Sequence, residues 1–236
     1  MSVDRVTAAV DDILSRIYSG DFSVDEPLPP EADLAKLLEV SRPTMREAVR
    51  SLSTRGVLKV VHGRGTFVNP IDSWTDLPTM IAAFIHTESP RQIGLQLIEL
   101  RRMIEVGACG LAARNRTADD ITALRKHLET YSVAEKHGDI TGVTQADLAF
   151  HTTILKASKN PFLSAIMIPL QDALSASRKL TSSDESIRNR ATEHHKVILA
   201  AIEDGDADRA KNAMRAHMTQ TADDIATHLS DEPVKA

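Results

Sequence analysis

Residues 28–52 read LPPEADLAKLLEVSRPTMREAVRSL, a pattern that predicts two short helices separated by a tight turn. The proline pair suits the first turn of the first helix, where a missing N–H costs no hydrogen bond. Ser41 is a good N-cap for the second helix. Apolar residues recur at helical spacing in both segments. The predicted inward faces are Leu34, Leu37 and Leu38 in the first helix and Met45, Ala48, Val49 and Leu52 in the second.

The second of these helices carries a basic stripe. Arg42, Arg46 and Arg50 follow one another at intervals of four residues, and each such step drifts only about 40° around a helix. The three side chains therefore share one face, opposite the apolar one. A helix-turn-helix inserts the N-terminal end of its second helix into the major groove, where arginine is the usual partner of guanine. We expect Arg42 to reach base edges, Thr44 to contact a phosphate or a thymine methyl group, and Arg50 to contact a phosphate.

Segments on both sides complete a winged helix-turn-helix of three helices and a β-hairpin. Residues 4–19 have the apolar spacing of an amphipathic helix. Residues 57–61 and 66–68 are rich in β-branched residues and flank the turn HGRG, a pattern typical of a hairpin. The turn predicts DNA contacts from His62, Gly63 and Arg64, since its glycines allow close approach to phosphates or the minor groove. A plain surface hairpin is the alternative, and the helix pair directly before it favours DNA contact.

The distribution of charge also indicates an anionic partner. Six basic residues and one acidic residue lie between Ser41 and Arg64, whereas the whole chain has a formal net charge of −5. A local excess of positive charge in an acidic chain is typical of a nucleic-acid-binding surface. Charge alone would equally suit a solvated helix face.

Composition favours an intracellular helical protein. Of the 236 residues, 42% are hydrophobic and only 3% are aromatic, which suits helices packed by aliphatic side chains. No apolar run approaches the roughly 20 residues of a membrane span, and the first ten residues lack the apolar segment of a secretory signal. The single cysteine, Cys109, fits a reducing compartment. We expect a cytoplasmic protein without membrane contact.

The rest of the chain predicts an all-α bundle. We divide the sequence into a winged helix-turn-helix at residues 1–69, a linker and connecting helix at 70–89, and a helical domain at 90–230. Pro, Gly, Asn and Asp residues interrupt the helical pattern at intervals and mark off about seven helices. The predicted breaks lie near residues 89–90, 115–117, 138–142, 160–161, 181–183 and 204–206.

Within the helical part, Asp147 and His151 are candidates for a metal site. They are four residues apart, so carboxylate and imidazole lie on the same helix face. Taken alone this spacing is weak, because a surface pair or a buried hydrogen-bonded histidine is more common.

His195 and His217 strengthen the case. His195 lies nine residues before Asp204, and His217 lies ten residues after Ala207. If the two helices are antiparallel, both imidazoles are roughly 15 Å from the turn, at 1.5 Å per residue, and hence side by side. Together with Asp147 and His151 they make a possible site of three histidines and one carboxylate. Such a set suits a divalent transition metal, zinc foremost, with nickel, manganese and iron as alternatives.

The N-terminal motifs resemble the DNA-binding domain of the GntR family. The resemblance rests on residues 28–52, on GVL at residues 56–58 and on HGRGTFV at residues 62–68, and it spans about residues 5–69. It implies base or backbone contacts from Arg42, Thr44, Arg46 and Gly63. Many relatives have arginine two residues beyond the proline pair, where this chain has Ala32. One expected contact is missing there, so the operator can differ from the common one.

The helical part resembles the FCD ligand-binding domain of FadR-like GntR regulators. The matching pieces include ELRRMIE at residues 99–105 and Asn160-Pro161. They also include the pair Asp147 and His151 and the pair His195 and His217. The resemblance implies a six- or seven-helix bundle that holds metal through Asp147, His151, His195 and His217. It also implies a carboxylate effector and places Arg101 beside it, where arginine can bind a carboxylate with two hydrogen bonds. An intrahelical ion pair with Glu105 is the alternative role for Arg101.

These features predict a transcription regulator. We expect a homodimer that binds a near-palindromic DNA operator and is released by a sugar acid, hydroxy acid or dicarboxylate; activation is the alternative outcome. A metal-dependent hydrolase is the main rival class. Four protein ligands leave little room for an activated water, and no HExxH motif, nucleophile elbow or phosphate loop is present. A nucleoid-type structural protein would need basic charge throughout the chain.

Overall fold

The computed structural model describes residues 4–232. The chain forms two compact units, one that extends to Thr87 and one that begins at Glu88. The first contains four α-helices and a hairpin, and the second is entirely helical over its described residues. This confirms the predicted fold class, a winged helix-turn-helix followed by an all-α bundle.

The N-terminal unit begins with helices α1 (Arg5–Tyr18), α2 (Glu31–Leu37) and α3 (Arg42–Thr54), followed by strands β1 (Leu58–Val61) and β2 (Gly65–Val68). The strands are antiparallel, with Leu58 opposite Val68 and Val61 opposite Gly65. Helix α3 starts at a true side-chain cap, since Ser41 Oγ accepts a hydrogen bond from the Thr44 amide at 3.2 Å. This cap therefore sets the start of α3 where the sequence predicts it.

A single hydrophobic core holds the three helices and the hairpin together. Ile13, Leu34, Met45 and Leu52 are almost completely buried, as the helical periodicity predicts. One assignment was wrong, because Leu37 is 49% exposed. Helix α2 has only seven residues and ends at Leu37, and its buried residues are Leu34 and Ala35.

The segment between the hairpin and Thr87 also packs on this unit. A 3-10 turn (Ile71–Ser73) leads to the buried Trp74, whose indole N–H donates to the Asn69 carbonyl at 3.0 Å. Helix α4 (Leu77–Thr87) follows and places Ala83 in the same core. The residues assigned from sequence to a linker and connecting helix thus contribute apolar surface to the first unit.

Seven α-helices make up the described part of the second unit. They are α5 (Pro90–Asn115), α6 (Ala118–Lys136), α7 (Ile140–Ala157), α8 (Pro161–Met167), α9 (Gln171–Thr181), α10 (Glu185–Asp204) and α11 (Ala207–His228). A 3-10 turn, Ile168–Leu170, joins α8 to α9. The predicted breaks correspond to the observed helix ends.

The bundle is centred on α5, which packs along α11 and against α7, α9 and α10. Its core is dominated by Phe150, Ile198, Ile202, Met214 and Met218, all fully buried. Burying such side chains contributes roughly 1.5–3 kcal/mol each before the entropy of ordering is counted. The polar residues of the candidate site lie on the same helices and are therefore held by a rigid scaffold.

No helix in residues 4–232 is both long enough and apolar enough to cross a membrane.

Candidate metal centre and nucleic-acid interface

The basic stripe of α3 is open to solvent. Arg42, Arg46 and Arg50 are all exposed, and the side chains of the last two are 77% accessible. Their nearest acids are Glu31, 3.6 Å from Arg46, and Glu47, 3.8 Å from Arg50. Exposed pairs of this length contribute about 0–1 kcal/mol, so a phosphate can replace them at little cost. The stripe can therefore bind an anion.

Thr44 and the hairpin turn complete the candidate interface. Thr44 is half-buried, and its hydroxyl lies 2.8 Å from Ser41 Oγ at the start of α3. His62, Gly63 and Arg64 are exposed at the tip of the hairpin. Gly63 has a φ of +74°, a backbone conformation that other residues rarely adopt. The structure thus exposes His62, Gly63 and Arg64 in a tight turn. The Arg64 guanidinium lies 5.8 Å from the centre of the Phe67 ring.

Three histidines from three helices converge in the second unit. His151 on α7, His195 on α10 and His217 on α11 are all buried, and each offers a ring nitrogen within 4.8 Å of the others. His195 Nε2 and His217 Nε2 are 3.3 Å apart. Ligand atoms in a tetrahedral zinc site lie about 3.3–3.4 Å from one another, since zinc–nitrogen bonds are about 2.0–2.1 Å. The spacing therefore fits a metal ion.

A tight helical hairpin sets the register of His195 and His217. Helix α10 ends at Asp204, and Gly205 follows with a φ of +75°, the left-handed conformation typical of a helix C-cap. Asp206 then caps α11 by accepting a hydrogen bond from the Arg209 amide at 3.0 Å. Because only these two residues separate the helices, positions equally far from the turn lie side by side.

Asp147 supplies a carboxylate to the same cluster. Its Oδ1 is 3.3 Å from His195 Nε2 and 3.8 Å from His151 Nε2, while its Oδ2 pairs with the Arg178 guanidinium. Burial alone would raise the pKa of this carboxyl, but Arg178 and the nearby histidines outweigh that effect and lower it to about 2. Asp147 is thus ionised at neutral pH, as a metal ligand must be.

The three imidazoles are held neutral. Burial lowers the pKa of His195 to about 3, and it lowers the pKa values of His151 and His217 as well. Neutral imidazole is the form that binds metal. The donor set of three neutral histidines and one carboxylate therefore fits zinc or another divalent transition metal.

Glu105 lies directly behind His151. Its Oε2 is 2.5 Å from His151 Nδ1, and Glu105 is only 1% exposed. A carboxylate on the outer nitrogen fixes the ring orientation and leaves Nε2 for the metal. The other two histidines differ, because Nδ1 of His195 and of His217 has no hydrogen-bond partner within residues 4–232.

Both roles predicted for Arg101 are compatible with its position. The side chain is buried and donates from Nε to Glu105 Oε1 at 2.7 Å, which is the intrahelical ion pair. Its Nη2 also lies 3.3 Å from His151 Nε2. Arg101 therefore lies against both the Glu105 carboxylate and the His151 ring.

A cavity of about 40 Å³ adjoins the cluster. Its lining includes three buried arginines, a metal-site carboxylate and a histidine. The lining residues are Arg101, Tyr131, Asp147, Arg178, Thr181, Ser182, Ile187, Arg188, Ala191, His217, Gln220 and Thr221. A small anionic ligand would suit this lining.

Sequence reasoning missed Arg178, Arg188 and Glu105 as members of the site. Arg188 lies seven residues, or two helical turns, before His195, and this spacing could have placed it on the same face of α10. Arg178 lies four residues after the buried Leu174, so a cation on an apolar stripe was the available signal. Glu105 was considered only as the partner of Arg101.

Two family models match the chain, one for each unit. The model described as "Bacterial regulatory proteins, gntR family" matches residues 5–68. The model described as "FCD domain" matches residues 96–220, which is more than half of the chain.

Three curated relatives are similar over most of their length. The chain is 27% identical to the HTH-type transcriptional regulator LutR of Bacillus subtilis, with 91% of this chain and 98% of LutR covered. It is 26% identical to the galactonate operon transcriptional repressor of Escherichia coli, at 90% and 93% coverage. It is 31% identical to the putative L-lactate dehydrogenase operon regulatory protein of Escherichia coli, at 92% and 81% coverage.

Solved structures support the same architecture. A structure of Streptococcus agalactiae GntR is 28% identical, with a TM-score of 0.52 and coverage of 92% of this chain and 99% of that one. The structure of Lar from Listeria monocytogenes has a TM-score of 0.64 at 16% identity, with coverage of 95% and 98%. The second likeness concerns the fold alone.

Proposed function

We propose that this protein is a repressor that a small carboxylate releases from DNA, because the chain belongs to the GntR family of bacterial regulatory proteins and carries an FCD domain. Family and relatives make it a DNA-binding transcription regulator and not an enzyme, which removes the metal-dependent hydrolase from consideration. We also assign it to the FadR-like subfamily and to the cytoplasm. No observation favours activation over repression.

The proposed DNA interface consists of the exposed face of α3 and the hairpin turn. Arg42 reads a guanine from the start of the helix, while Arg46 and Arg50 contact the backbone and neighbouring bases. His62, Gly63 and Arg64 contact phosphates or the minor groove. A homodimer presents two copies of this surface to a near-palindromic operator. The support is the full exposure of the stripe, whose own ion pairs are weak.

The proposed metal site consists of Asp147, His151, His195 and His217, and zinc is the foremost candidate. A bound divalent ion supplies positive charge that can attract and orient a carboxylate. Glu105 orients His151, and Arg178 holds the second oxygen of Asp147. The observation that carries the proposal is the 3.3 Å spacing of both His217 Nε2 and Asp147 Oδ1 from His195 Nε2.

The proposed effector is a small carboxylate with a hydroxyl group on the neighbouring carbon. One relative is named for a galactonate operon and another for an L-lactate dehydrogenase operon, and both galactonate and L-lactate have this arrangement of oxygens. Arg101 lines the cavity beside the metal ligands and can donate to the carboxylate. We infer that ligand binding here changes the presentation of the two DNA-binding units in a dimer and lowers their affinity for DNA.

The test is release of labelled DNA, followed by fluorescence anisotropy on a duplex selected from a random library. We expect L-lactate or galactonate to release the DNA from zinc-loaded protein, and chelation to abolish the release. Arg101→Ala should weaken release while leaving affinity for DNA without ligand unchanged. If no carboxylate lowers the anisotropy of the zinc-loaded complex, the proposed function is wrong.

A further inference from the structure

The cavity has a second cationic end that the proposed metal and Arg101 do not use. Arg178 and Arg188 both line it, and each is only 8% exposed. Arg178 lies on α9 and pairs with Asp147. Arg188 lies on α10, where its Nη1 donates to the carbonyls of Ser182 and Ser183 at 2.7 and 3.2 Å. Each guanidinium is thus fixed in place by the protein on one side.

Each of these guanidinium groups keeps a buried N–H without an acceptor. Arg178 Nη2 and Arg188 Nε have no hydrogen-bond partner in the part of the chain that the structure describes. The nearest carboxylate oxygen to Arg188 Nε is Glu135 Oε1 at 3.9 Å, which is too long for a hydrogen bond. A buried charged donor that is left without an acceptor destabilises the folded protein. An acceptor that enters the cavity would remove this destabilisation.

The charges around the cavity indicate how many negative charges a ligand in it should carry. Arg101, Arg178, Arg188 and Asp147 line the cavity. Glu105 pairs with Arg101 and Glu135 lies 3.9 Å from Arg188, so the three positive and three negative charges cancel. A divalent metal at the proposed site therefore leaves two positive charges in a poorly solvated region. Uncompensated charge is costly there, and a ligand with two negative charges neutralises it.

We propose that the effector is a short dianion, with one carboxylate at the metal and Arg101 and a second anionic group at Arg178 and Arg188. The inference rests on the proposed function and narrows its effector from 2-hydroxycarboxylates to those that carry a second carboxylate. Two guanidinium groups can bind a carboxylate with several charge-assisted hydrogen bonds. The small cavity volume, about 40 Å³, favours a short ligand.

The test compares two ligands that differ only in the second carboxylate, L-malate and (S)-2-hydroxybutanoate. Isothermal titration calorimetry on the zinc-loaded, full-length protein measures both dissociation constants. We expect L-malate to bind at least about tenfold more tightly, the effect of a charge-assisted hydrogen bond worth about 1.5 kcal/mol or more. Equal affinities, or failure of L-malate to bind, would overturn the proposal without any variant being made.

Arg188→Gln then locates the second carboxylate. The variant should reduce the preference for L-malate to about twofold or less and leave the affinity for (S)-2-hydroxybutanoate within about twofold of wild type. Lys196→Gln removes an exposed cation from the same helix and should leave the preference intact. A preference unchanged in a folded Arg188→Gln variant would show that the proposed subsite is wrong.

The experiments distinguish a wrong assignment of the dianionic effector from a wrong assignment of ligand-controlled DNA release. If (S)-2-hydroxybutanoate binds as well as L-malate and releases DNA, the regulator remains ligand-controlled and only the dianion is excluded. If no carboxylate releases DNA from the zinc-loaded protein, the proposed function itself fails.

Discussion

Glu105 Oε2 lies 2.5 Å from His151 Nδ1, and both side chains are buried. Burial would raise the pKa of Glu105, but the Arg101 guanidinium and His151 lower it well below its usual range. The carboxylate is therefore ionised and accepts a hydrogen bond from Nδ1–H of His151. With the proton on Nδ1, Nε2 keeps the lone pair that a metal would need, and in this structure Arg101 Nη2 lies 3.3 Å from it.

Glu105→Gln should weaken metal binding because the amide is a poorer acceptor and leaves Arg101 without its counterion. We expect a dissociation constant for zinc that is about tenfold to hundredfold higher, the usual effect of losing such an outer partner. Competition with a fluorescent zinc chelator measures it. Glu99→Gln, an exposed site on the same helix, is the matched control, and an equal effect from both variants would rule out the role of Glu105.

Arg42 and Arg50 should differ in what they contribute to DNA binding. Arg42→Ala should cost about 1–3 kcal/mol on the preferred site and relax the preference at one base pair. Arg50→Ala should weaken binding to all sequences alike and reduce the slope of log K against log salt by about one. Binding titrations on single-base variants of the site at several salt concentrations separate the two outcomes. An unchanged base preference in Arg42→Ala would show that Arg42 does not read a base.

The metal-free protein should lose stability as pH falls below about 6.5. In the unfolded chain a histidine titrates near 6.5, whereas burial lowers the pKa of His195 to about 3 in the folded protein. Between these values the unfolded state binds more protons, so the free energy of unfolding falls with decreasing pH. Above pH 6.5 the contribution is fully present.

Urea unfolding of the chelated protein between pH 7.5 and 4.5 measures this dependence. We expect His195 to contribute a slope of about 1 kcal/mol per pH unit and therefore a shallower slope in His195→Gln. His137→Gln, at an exposed site, should leave the slope unchanged. Stability that is constant down to pH 4.5 would contradict the burial of neutral imidazoles.

Local rules were sufficient to predict two parts of the candidate site and the elements, except for the break at Ile168–Leu170 that separates α8 from α9. The basic stripe follows from a spacing of four residues on a capped helix, and both features are encoded within α3. The side-by-side position of His195 and His217 follows from counting residues outward from a two-residue turn. Neither inference needs information from distant parts of the chain.

The remaining features depend on how distant helices meet. Arg178 and Arg188 enter the cavity only because α9 and α10 pack against the helices that carry Arg101 and Asp147. Periodicity identifies a buried face but does not say what lies opposite it. Leu37 was assigned wrongly for a related reason. It lies within α2, but the helix buries Leu34 and Ala35 instead, and periodicity does not say which apolar position meets a packing partner.

The central claim is that a ligand at the histidine cluster controls the DNA-binding unit, and the variant that tests it carries His195→Ala and His217→Ala together. Elemental analysis should first show that the metal found in the wild-type protein is lost. His228→Ala, near the end of α11 and outside the cluster, serves as the control and should retain the metal.

The decisive measurement is the fluorescence anisotropy of labelled operator DNA as L-malate is added to each zinc-incubated protein. We expect the double variant to bind DNA as tightly as the wild-type protein does. We also expect its DNA to stay bound at L-malate concentrations that release DNA from the wild-type protein and from the His228→Ala control. Release from the double variant at the same ligand concentration as from wild type would contradict the account.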